Sequence, residues 1–205
     1  MIIDFKFKNY LSFADECNFT MLANKDKAHE EDLITVGKER LSKTRMIYGA
    51  NASGKSSFMK AMLFISMFIA NSNSLLEKMP IPVDPFKFCD GCFNKPTEFS
   101  ITFIKDEIKY AYQFSCTREK VINERLDIYY SAKPTMIFNR TNTTTYEFNK
   151  DTKLLNELKD RNLENKLFLV TSASWNYEKT KPVVDYLLNT IMVAINIDAL
   201  WKMNL

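Results

Sequence analysis

A glycine-containing loop motif constrains the fold of this 205-residue chain more than any other feature. Residues 49–56 read Gly-Ala-Asn-Ala-Ser-Gly-Lys-Ser and fit the pattern G-x-x-x-x-G-K-[ST]. A chain of this composition would match the pattern by accident about once in a thousand cases. Two of only four glycines lie inside the motif. A short β-prone run at residues 45–48 precedes the loop and an apolar stretch at 55–71 follows it, so we expect a strand, a phosphate-binding turn and a helix in that order.

Each position of this loop suits the binding of a polyphosphate. Gly49 and Gly54 permit a tight bend, and they let successive backbone N–H groups approach phosphate oxygens closely. Lys55 would place its ammonium group on the β- and γ-phosphates, and it is the candidate catalytic residue. Ser56 would offer its hydroxyl group to Mg²⁺, whose other ligands are water and phosphate oxygens. The candidate nucleotide-binding residues are Gly49, Ala50, Asn51, Ala52, Ser53, Gly54, Lys55, Ser56 and Ser57.

Apolar periodicity predicts the elements around the loop. Residues 2–8 alternate apolar and polar side chains, which predicts a strand with Ile3, Phe5 and Phe7 on one face. A second short strand is suggested near Phe19, and the polar stretch that follows it as far as Arg40 suggests an irregular segment. The helix at 55–71 is apolar on almost every side, and we expect such a helix to be buried on every face.

In the middle of the chain, apolar residues recur at every second position. Three prolines at positions 80–85 enforce extended chain, and from Thr97 onward apolar and polar residues alternate through several runs up to Phe138. The runs are separated by short polar clusters that are typical of turns. This pattern predicts an antiparallel meander that is covered on one face and polar on the other.

The last quarter of the chain suggests three more elements. Residues 151–165 suggest a charged amphipathic helix, 167–170 a buried strand, and 181–195 a helix entered through Pro182. The remaining residues up to 205 are still rich in apolar side chains, and the chain reads as a domain that stops before completion.

We therefore expect a single lobe with α/β architecture and an antiparallel β-subdomain. A phosphate-loop core would occupy residues 1–75, the β-subdomain residues 76–150, and a helical return segment residues 151–205.

Composition excludes several classes of protein. An aromatic content of 13% and a net charge of +3 exclude intrinsic disorder, and the same small charge gives no nucleic-acid footprint by itself. The longest apolar run, residues 62–70, would span about 14 Å as a helix, against a bilayer core of about 30 Å. The N-terminus has charges inside its apolar stretch and is no signal peptide. We expect a cytoplasmic protein without membrane contact, whose four cysteines are reduced thiols.

Three weaker signals have plain structural interpretations. Cys89 and Cys92 have the spacing of a zinc-ligand pair, but a structural site needs four donors and no second pair is present. Two ordinary thiols at a turn are the stronger interpretation, and a metal role stays open. The single histidine, His29, lies in a charged segment and is expected to be solvated. The aromatic row at 110–114 could stack on nucleic-acid bases, although alternating aromatics in a sheet usually face the core.

The loop and the N-terminus together resemble the AAA-15-type ATPases. The resemblance rests on IYGANASGKSSFMKA at residues 47–61 and on IIDFKFKNYLSF at residues 2–13. Softer matches continue through 85–86, 95–99, the aromatic alternation at 110–114, 167–169 and 181–183, so the likeness covers essentially the whole chain. These bacterial ATP-binding proteins belong to the ABC-ATPase-like class, and they are related to the RecF, structural-maintenance-of-chromosomes and overcoming-lysogenization-defect families.

The resemblance implies an ABC-ATPase-like head lobe that binds Mg-ATP between two copies. One copy supplies the phosphate loop (Walker A) and its partner supplies a signature loop, while a Walker B strand ending in Asp-Glu serves Mg²⁺ and the attacking water. No Ser-Gly-Gly signature occurs in this sequence, and Asp198, at the end of an apolar run, is followed by Ala199. In the family these parts lie in the second half of the protein. We therefore expect hydrolysis only in a homodimer, or with a second half or partner protein that supplies both elements.

The N-terminal motif departs from the family at one position. Relatives carry a basic residue where residues 9–12 have Leu11, so a phosphate or DNA contact there would need Lys8 or Arg45 instead. Two other functions stay open. One is an interaction module switched by nucleotide, and the other, by resemblance alone, is a DNA-engaging head in a bacterial anti-phage defence or repair system.

Overall fold

The computed structural model describes residues 1–26 and 30–191. The strands in this part of the chain are β1 (Ile2–Lys8), β2 (Cys17–Thr20), β3 (Leu33–Val36), β4 (Glu39–Ser42), β5 (Thr97–Lys105), β6 (Ile108–Cys116), β7 (Val121–Tyr129), β8 (Thr135–Thr141) and β9 (Thr145–Phe148). The helices are α1 (Lys55–Asn71), α2 (Thr152–Lys159), α3 (Phe168–Ser174) and α4 (Lys181–Thr190), with single 3₁₀ turns at Glu30–Asp32, Ser72–Ser74 and Cys92–Asn94.

Seven strands form one sheet in the order β2-β1-β5-β6-β7-β8-β9, and β3 pairs with β4 in a separate hairpin. Every strand pairing among the described residues is antiparallel. The N-terminal strands β1 and β2 therefore extend the same sheet as the meander. Together with the helices, this gives the α/β fold with a mostly antiparallel sheet.

The meander predicted from the two-residue period is confirmed. Phe99, Ile101 and Phe103 on β5 are buried together with the aromatic row at 110–114 on β6, and Phe99 lies opposite Phe114 in the register. A two-residue turn at 106–107 joins these strands, and both of its residues have φ near +55° (50° and 62°), as a type I′ hairpin requires. The aromatic row faces the core, so the alternative that it stacks on nucleic-acid bases is wrong.

Helix α1 has the predicted bounds and covers the inner face of the sheet. Its aromatic side chains pack on those of the strands, for example Phe58 on Phe5 at 5.8 Å and Phe64 on Phe99 at 5.0 Å between ring centroids. The expectation that α1 is buried on every face is wrong, because Met67 is exposed and the helix keeps one solvent-facing side. That side also carries the polar residues Ser56, Lys60 and Asn71.

The run at residues 45–48 does not form the predicted strand. It belongs to neither sheet of the described structure, and Met46 and Tyr48 are 86% and 91% exposed. A strand is stable only with a partner for its backbone groups, and the described residues offer none at this position.

The predicted strand at 167–170 is also wrong, because the chain turns into α3 there. Leu167 is the residue before the helix, and the backbone N–H groups of Phe168 and Leu169 donate to the buried carboxylate of Glu124, at 2.7 and 2.8 Å. An anion at a helix N-terminus favours the helical conformation. A short apolar run cannot by itself distinguish a buried strand from a buried helix.

The polar segment after β2 is more ordered than predicted. It contains the β3–β4 hairpin, whose Leu41 packs with Ile3 and Ile104 in a second small core. Strand β1 has the predicted bounds, and Ile3, Phe5 and Phe7 are buried at alternate positions. Phe5 and Phe7 belong to the main core, whereas Ile3 packs in the second small core next to a bulge between Ile2 and Asp4.

The two predicted C-terminal helices are present with shorter bounds. The helix predicted at 151–165 ends at Lys159, and α4 is described up to Thr190. Pro182 lies in the first turn of α4, as predicted. The rest of the helix predicted at 181–195, the stretch up to Leu205 with Asp198, and His29 lie outside the described residues.

Three remaining expectations concern cysteines, metals and membranes. Cys89 and Cys92 lie next to each other at a turn, with Cα atoms 5.5 Å apart, and their assignment as two ordinary thiols stays a prediction. No group of three metal-ligating side chains is found in the described part of the chain. Over the same residues, no helix has the length and apolarity needed to cross a membrane.

Candidate functional site

The phosphate-loop motif forms a turn at the N-terminal end of α1. Gly54 is the residue before the helix, with φ of +98°, and Ala52 also has a left-handed φ, of +63°. Helix α1 is 17 residues long. Its unpaired N-terminal amides and its dipole therefore face the loop and favour an anion at this place.

Lys55 folds back over the loop. Its Nζ donates to the carbonyl oxygens of Gly49 and Ala50, at 2.8 and 2.7 Å. The first and seventh residues of the motif are thus joined, and the ammonium group lies within the ring of the loop. This is the position from which it can reach anionic oxygens bound by the same loop.

The two loop glycines differ in how much room they leave for a side chain. A β-carbon added at Gly49 would lie 2.8 Å from Ser53 Oγ. One added at Gly54 would lie 3.0 Å from Phe13 Cζ and 3.1 Å from Ser12 Oγ. The Ser53 hydroxyl can rotate away from Gly49, whereas Gly54 combines a left-handed φ with a close aromatic neighbour, so the loop conformation favours glycine most strongly at Gly54.

The other predicted site residues surround this turn. Asn51 and Ser53 are exposed in the loop, Ser56 is exposed in the first turn of α1, and Ser57 beside it is half-buried. An exposed hydroxyl at Ser56 is a hard oxygen donor of the type that Mg²⁺ uses. The donor set and the glycine-lined turn fit a magnesium-bound polyphosphate.

A second segment, which sequence reasoning did not assign to the site, contacts the loop. Residues 9–13 form a tight turn after β1, in which Ser12 and Phe13 touch Gly54. Burial, and next the charge of Asp84, raises the pKa of Tyr10 in this turn to about 12. The N-terminal motif at residues 9–13 carries the signal for this contact, because its aromatic residues Tyr10 and Phe13 pack at the turn.

Lys8 and Arg45, the candidate substitutes for the missing basic residue, lie at two different places in the fold. Arg45 Nη2 donates to the carbonyl oxygen of Leu22, at 2.9 Å, so its guanidinium group is held by the second small core region. Lys8 is exposed at the end of β1 and lines a groove of about 590 Å³ on the open face of the sheet. This groove includes none of residues 49–57 among its lining, so it is separate from the loop.

The most deeply buried ionic pair also lies away from the loop. Arg140 and Glu124 are each 1% exposed, with Nη1 and Oε2 3.8 Å apart. Burial raises the pKa of Glu124, while Arg140 and the amides of α3 oppose that shift. All these partners belong to the sheet and to α3, so the pair organises the fold and takes no part in the site.

Comparison with known proteins agrees with this geometry. The family model described as "AAA domain, putative AbiEii toxin, Type IV TA system" matches residues 46–186, which include the whole phosphate loop and α1. No curated protein gives a significant match. The matched range covers more than half of the chain. The chain therefore belongs to this AAA-domain family, and with it to the P-loop proteins with a nucleotide-binding, ATPase-like function.

Proposed function

We propose that this chain is the Mg-ATP-binding lobe of an ATPase, and that its loop at 49–57 is the binding site. The observation that carries the proposal is the position of the Lys55 ammonium group, which is held inside the loop by Gly49 and Ala50 at the N-terminal end of α1. Backbone amides, a helix dipole and the Lys55 ammonium group at one point form a site for a triphosphate.

In this proposal each side chain has a separate task. The amides of the loop hold the β- and γ-phosphates, and Lys55 exchanges its two carbonyl partners for phosphate oxygens. Ser56 provides a protein ligand for Mg²⁺, which would neutralise charge on the phosphates. As the γ-phosphoryl group is transferred to water, Lys55 stabilises the charge that develops on its oxygens.

We further propose that hydrolysis needs an assembly, either a homodimer or a complex with a second half or partner protein. The sequence lacks the signature loop, and neither of its two Asp-Glu pairs ends a strand, because Asp106-Glu107 forms a hairpin turn and Asp15-Glu16 directly precedes β2. The exposed apolar run at 46–48, directly before Gly49, supports the same view. Backbone groups and side chains of this run would be satisfied by an added strand.

Binding of Mg-ATP by calorimetry tests the site. Wild-type protein should bind, Lys55→Ala should lose measurable binding, and Lys60→Ala should bind as wild type does, because its side chain is exposed on the same helix. Equal affinities of wild type and Lys55→Ala would remove the loop from the proposal. In a phosphate-release assay the chain alone should turn over negligibly, and brisk turnover that depends on Lys55 would contradict the need for an assembly.

A second candidate is a nucleotide-switched interaction module, in which ATP binding and not hydrolysis does the work. The exposed run at 46–48 favours it, since a nucleotide in the adjacent loop would order a docking surface. A phosphate-release assay on the assembled complex distinguishes the two, because an assembled ATPase turns ATP over whereas a switch holds it without hydrolysis.

The biological setting is also part of the proposal, and the family description is its support. The family description names a toxin of a type IV toxin–antitoxin system, and we place this protein in a bacterial cytoplasm, in a defence or repair system. A DNA-engaging head would bind duplex DNA with an affinity that falls steeply with salt. A flat binding isotherm at low salt would dismiss that variant of the proposal.

A further inference from the structure

We propose that the turn at residues 9–13, named the support turn below, positions the phosphate loop, and that Phe13 is its positioning residue. This inference rests on the proposed function of the loop. Its starting point is the contact of Phe13 and Ser12 with Gly54, where a β-carbon would meet the Phe13 ring at 3.0 Å. Gly54 is the residue at which the loop passes into α1, so the support turn touches the backbone where the amides of the loop take their direction.

The support turn is rigid enough for this task. Tyr10 and Phe13 exchange both backbone hydrogen bonds, each 2.9 Å long, so the turn is closed across only two intervening residues. Asn9 and Leu11 have left-handed φ angles of 54° and 48°. Non-glycine residues keep such angles only where the surrounding structure fixes them.

Side-chain and backbone hydrogen bonds fix the support turn to the long connection before β5. The Asn9 amide group donates to the carbonyl oxygens of Cys92 and Lys95, both at 2.9 Å. The backbone N–H of Leu11 donates to the carbonyl oxygen of Asp84, also at 2.9 Å. Since Asn9 is 5% exposed, these bonds are shielded from water and hold the turn in one place.

Aromatic packing joins the support turn to α1 at a second point. The Tyr10 ring packs against Phe64 at 5.7 Å between centroids, nearly three helical turns beyond Gly54. The Phe13 ring packs edge-on against Phe7 at 5.0 Å. The turn thus contacts α1 at Gly54 and again at Phe64. Two contacts along one helix fix its orientation, and with it the direction of the N-terminal amides.

The experiment compares binding of Mg-ATP and of Mg-tripolyphosphate, which lacks base and ribose, by calorimetry. A positioning residue acts on the loop, so Phe13→Ala should weaken both ligands by about tenfold. Phe13→Leu keeps most of the volume and should weaken them by about threefold. The matched control is Phe148→Ala on the edge strand β9, which also removes a half-buried aromatic ring and should leave both affinities unchanged.

Thermal unfolding without ligand accompanies each measurement, so that only folded protein is compared. Wild-type affinity in a folded Phe13 variant would overturn the inference, and Phe13→Leu decides it if Phe13→Ala does not fold. A loss confined to ATP would also overturn it, because Phe13 would then contact the base or ribose. Failure of the proposed function gives a different result, in which wild type and Lys55→Ala bind neither ligand.

Discussion

Lys55 Nζ lies 2.8 Å from the main-chain oxygen of Gly49, and this contact closes the phosphate loop on itself. A second bond to Ala50, at 2.7 Å, leaves the ammonium group with two neutral acceptors. Phosphate oxygens carry formal charge and form stronger hydrogen bonds with an ammonium group than carbonyl oxygens do. Lys55 is therefore held near the position where it would be needed, and it can exchange partners without a large movement of the loop.

Lys55→Ala should remove Mg-ATP binding while leaving the stability of the ligand-free protein nearly unchanged. Because its two bonds lie at an exposed site, Lys55→Ala should change the free energy of unfolding without ligand by less than about 1 kcal/mol. The rise in melting temperature that Mg-ATP gives to the wild type should be lost. Thermal scans with and without Mg-ATP measure both effects. A variant that is strongly destabilised without ligand would show that Lys55 is a structural residue.

Gly54 should tolerate a side chain less well than another glycine of similar conformation. Gly54 and Gly37 have φ of +98° and +61°, and an alanine at either position pays about 1–2 kcal/mol for a left-handed angle. A β-carbon at Gly37 has nothing within 4 Å, whereas one at Gly54 meets Phe13 and Ser12. Gly54→Ala should therefore cost more in chemical denaturation and also abolish Mg-ATP binding, while Gly37→Ala binds normally. If Gly54→Ala and Gly37→Ala lost the same stability and bound Mg-ATP equally well, the contact between Gly54 and the support turn would not constrain the loop.

Local sequence signals identified the loop and the meander because both depend on short-range physics. The spacing of Gly49, Gly54 and Lys55 defines a phosphate-binding turn by itself, and a two-residue period defines a sheet that is covered on one face. The bounds of α1 followed from its continuous apolar run. None of these predictions needed knowledge of distant contacts.

The errors arose where a distant residue decides the local structure. The run at 167–170 becomes a helix because Glu124, more than forty positions earlier, binds its amides. The run at 45–48 has strand propensity but no partner among the described residues. The support turn was missed for the same reason, since its contact with Gly54 joins segments that are far apart in the sequence.

Glu124 should contribute strongly to stability because it links the sheet to α3. Its carboxylate accepts hydrogen bonds from Tyr112 Oη and from two amides of α3, and it is 3.8 Å from the buried Arg140. Glu124→Ala would leave that guanidinium group without a counter-charge, at a cost of about 3–5 kcal/mol. Glu147→Ala, on an exposed position of the neighbouring edge strand β9, should cost less than about 1 kcal/mol. Urea denaturation compares them, and similar midpoints would contradict the role given to Glu124.

Alkaline pH should destabilise the protein through Tyr10. Burial raises the pKa of this phenol from its usual value of 10 to about 12. Between these values the unfolded chain loses the proton and the folded protein keeps it, so this contribution to stability is complete below pH 10 and is lost as the pH rises toward 12. Tyr10→Phe should make the decline between pH 9 and 11 less steep. Denaturation curves at several pH values measure the slope, and parallel curves for both proteins would refute this assignment.

The unpaired run at 46–48 should control assembly and not nucleotide binding. Met46 is 86% exposed and lies three residues before Gly49, close enough to form part of an interface but outside the loop. Leu76, at 69% exposure, provides a matched control, because it is an exposed apolar residue after the end of α1. Both Met46→Asp and Leu76→Asp place a charge on an exposed apolar position, so their effects on solubility should be similar.

A difference between these two variants would therefore report on the interface alone. If ATP promotes dimers or a complex with a partner, light scattering should show the increase in mass for wild type and Leu76→Asp and no increase for Met46→Asp. Calorimetry should give all three proteins the same affinity for Mg-ATP within about twofold. An unchanged increase in mass for Met46→Asp would show that another surface carries the assembly. A loss of ATP binding in Met46→Asp would instead mean that the run supports the loop directly, since Met46 is exposed and lies outside the ring that Gly49 and Lys55 close.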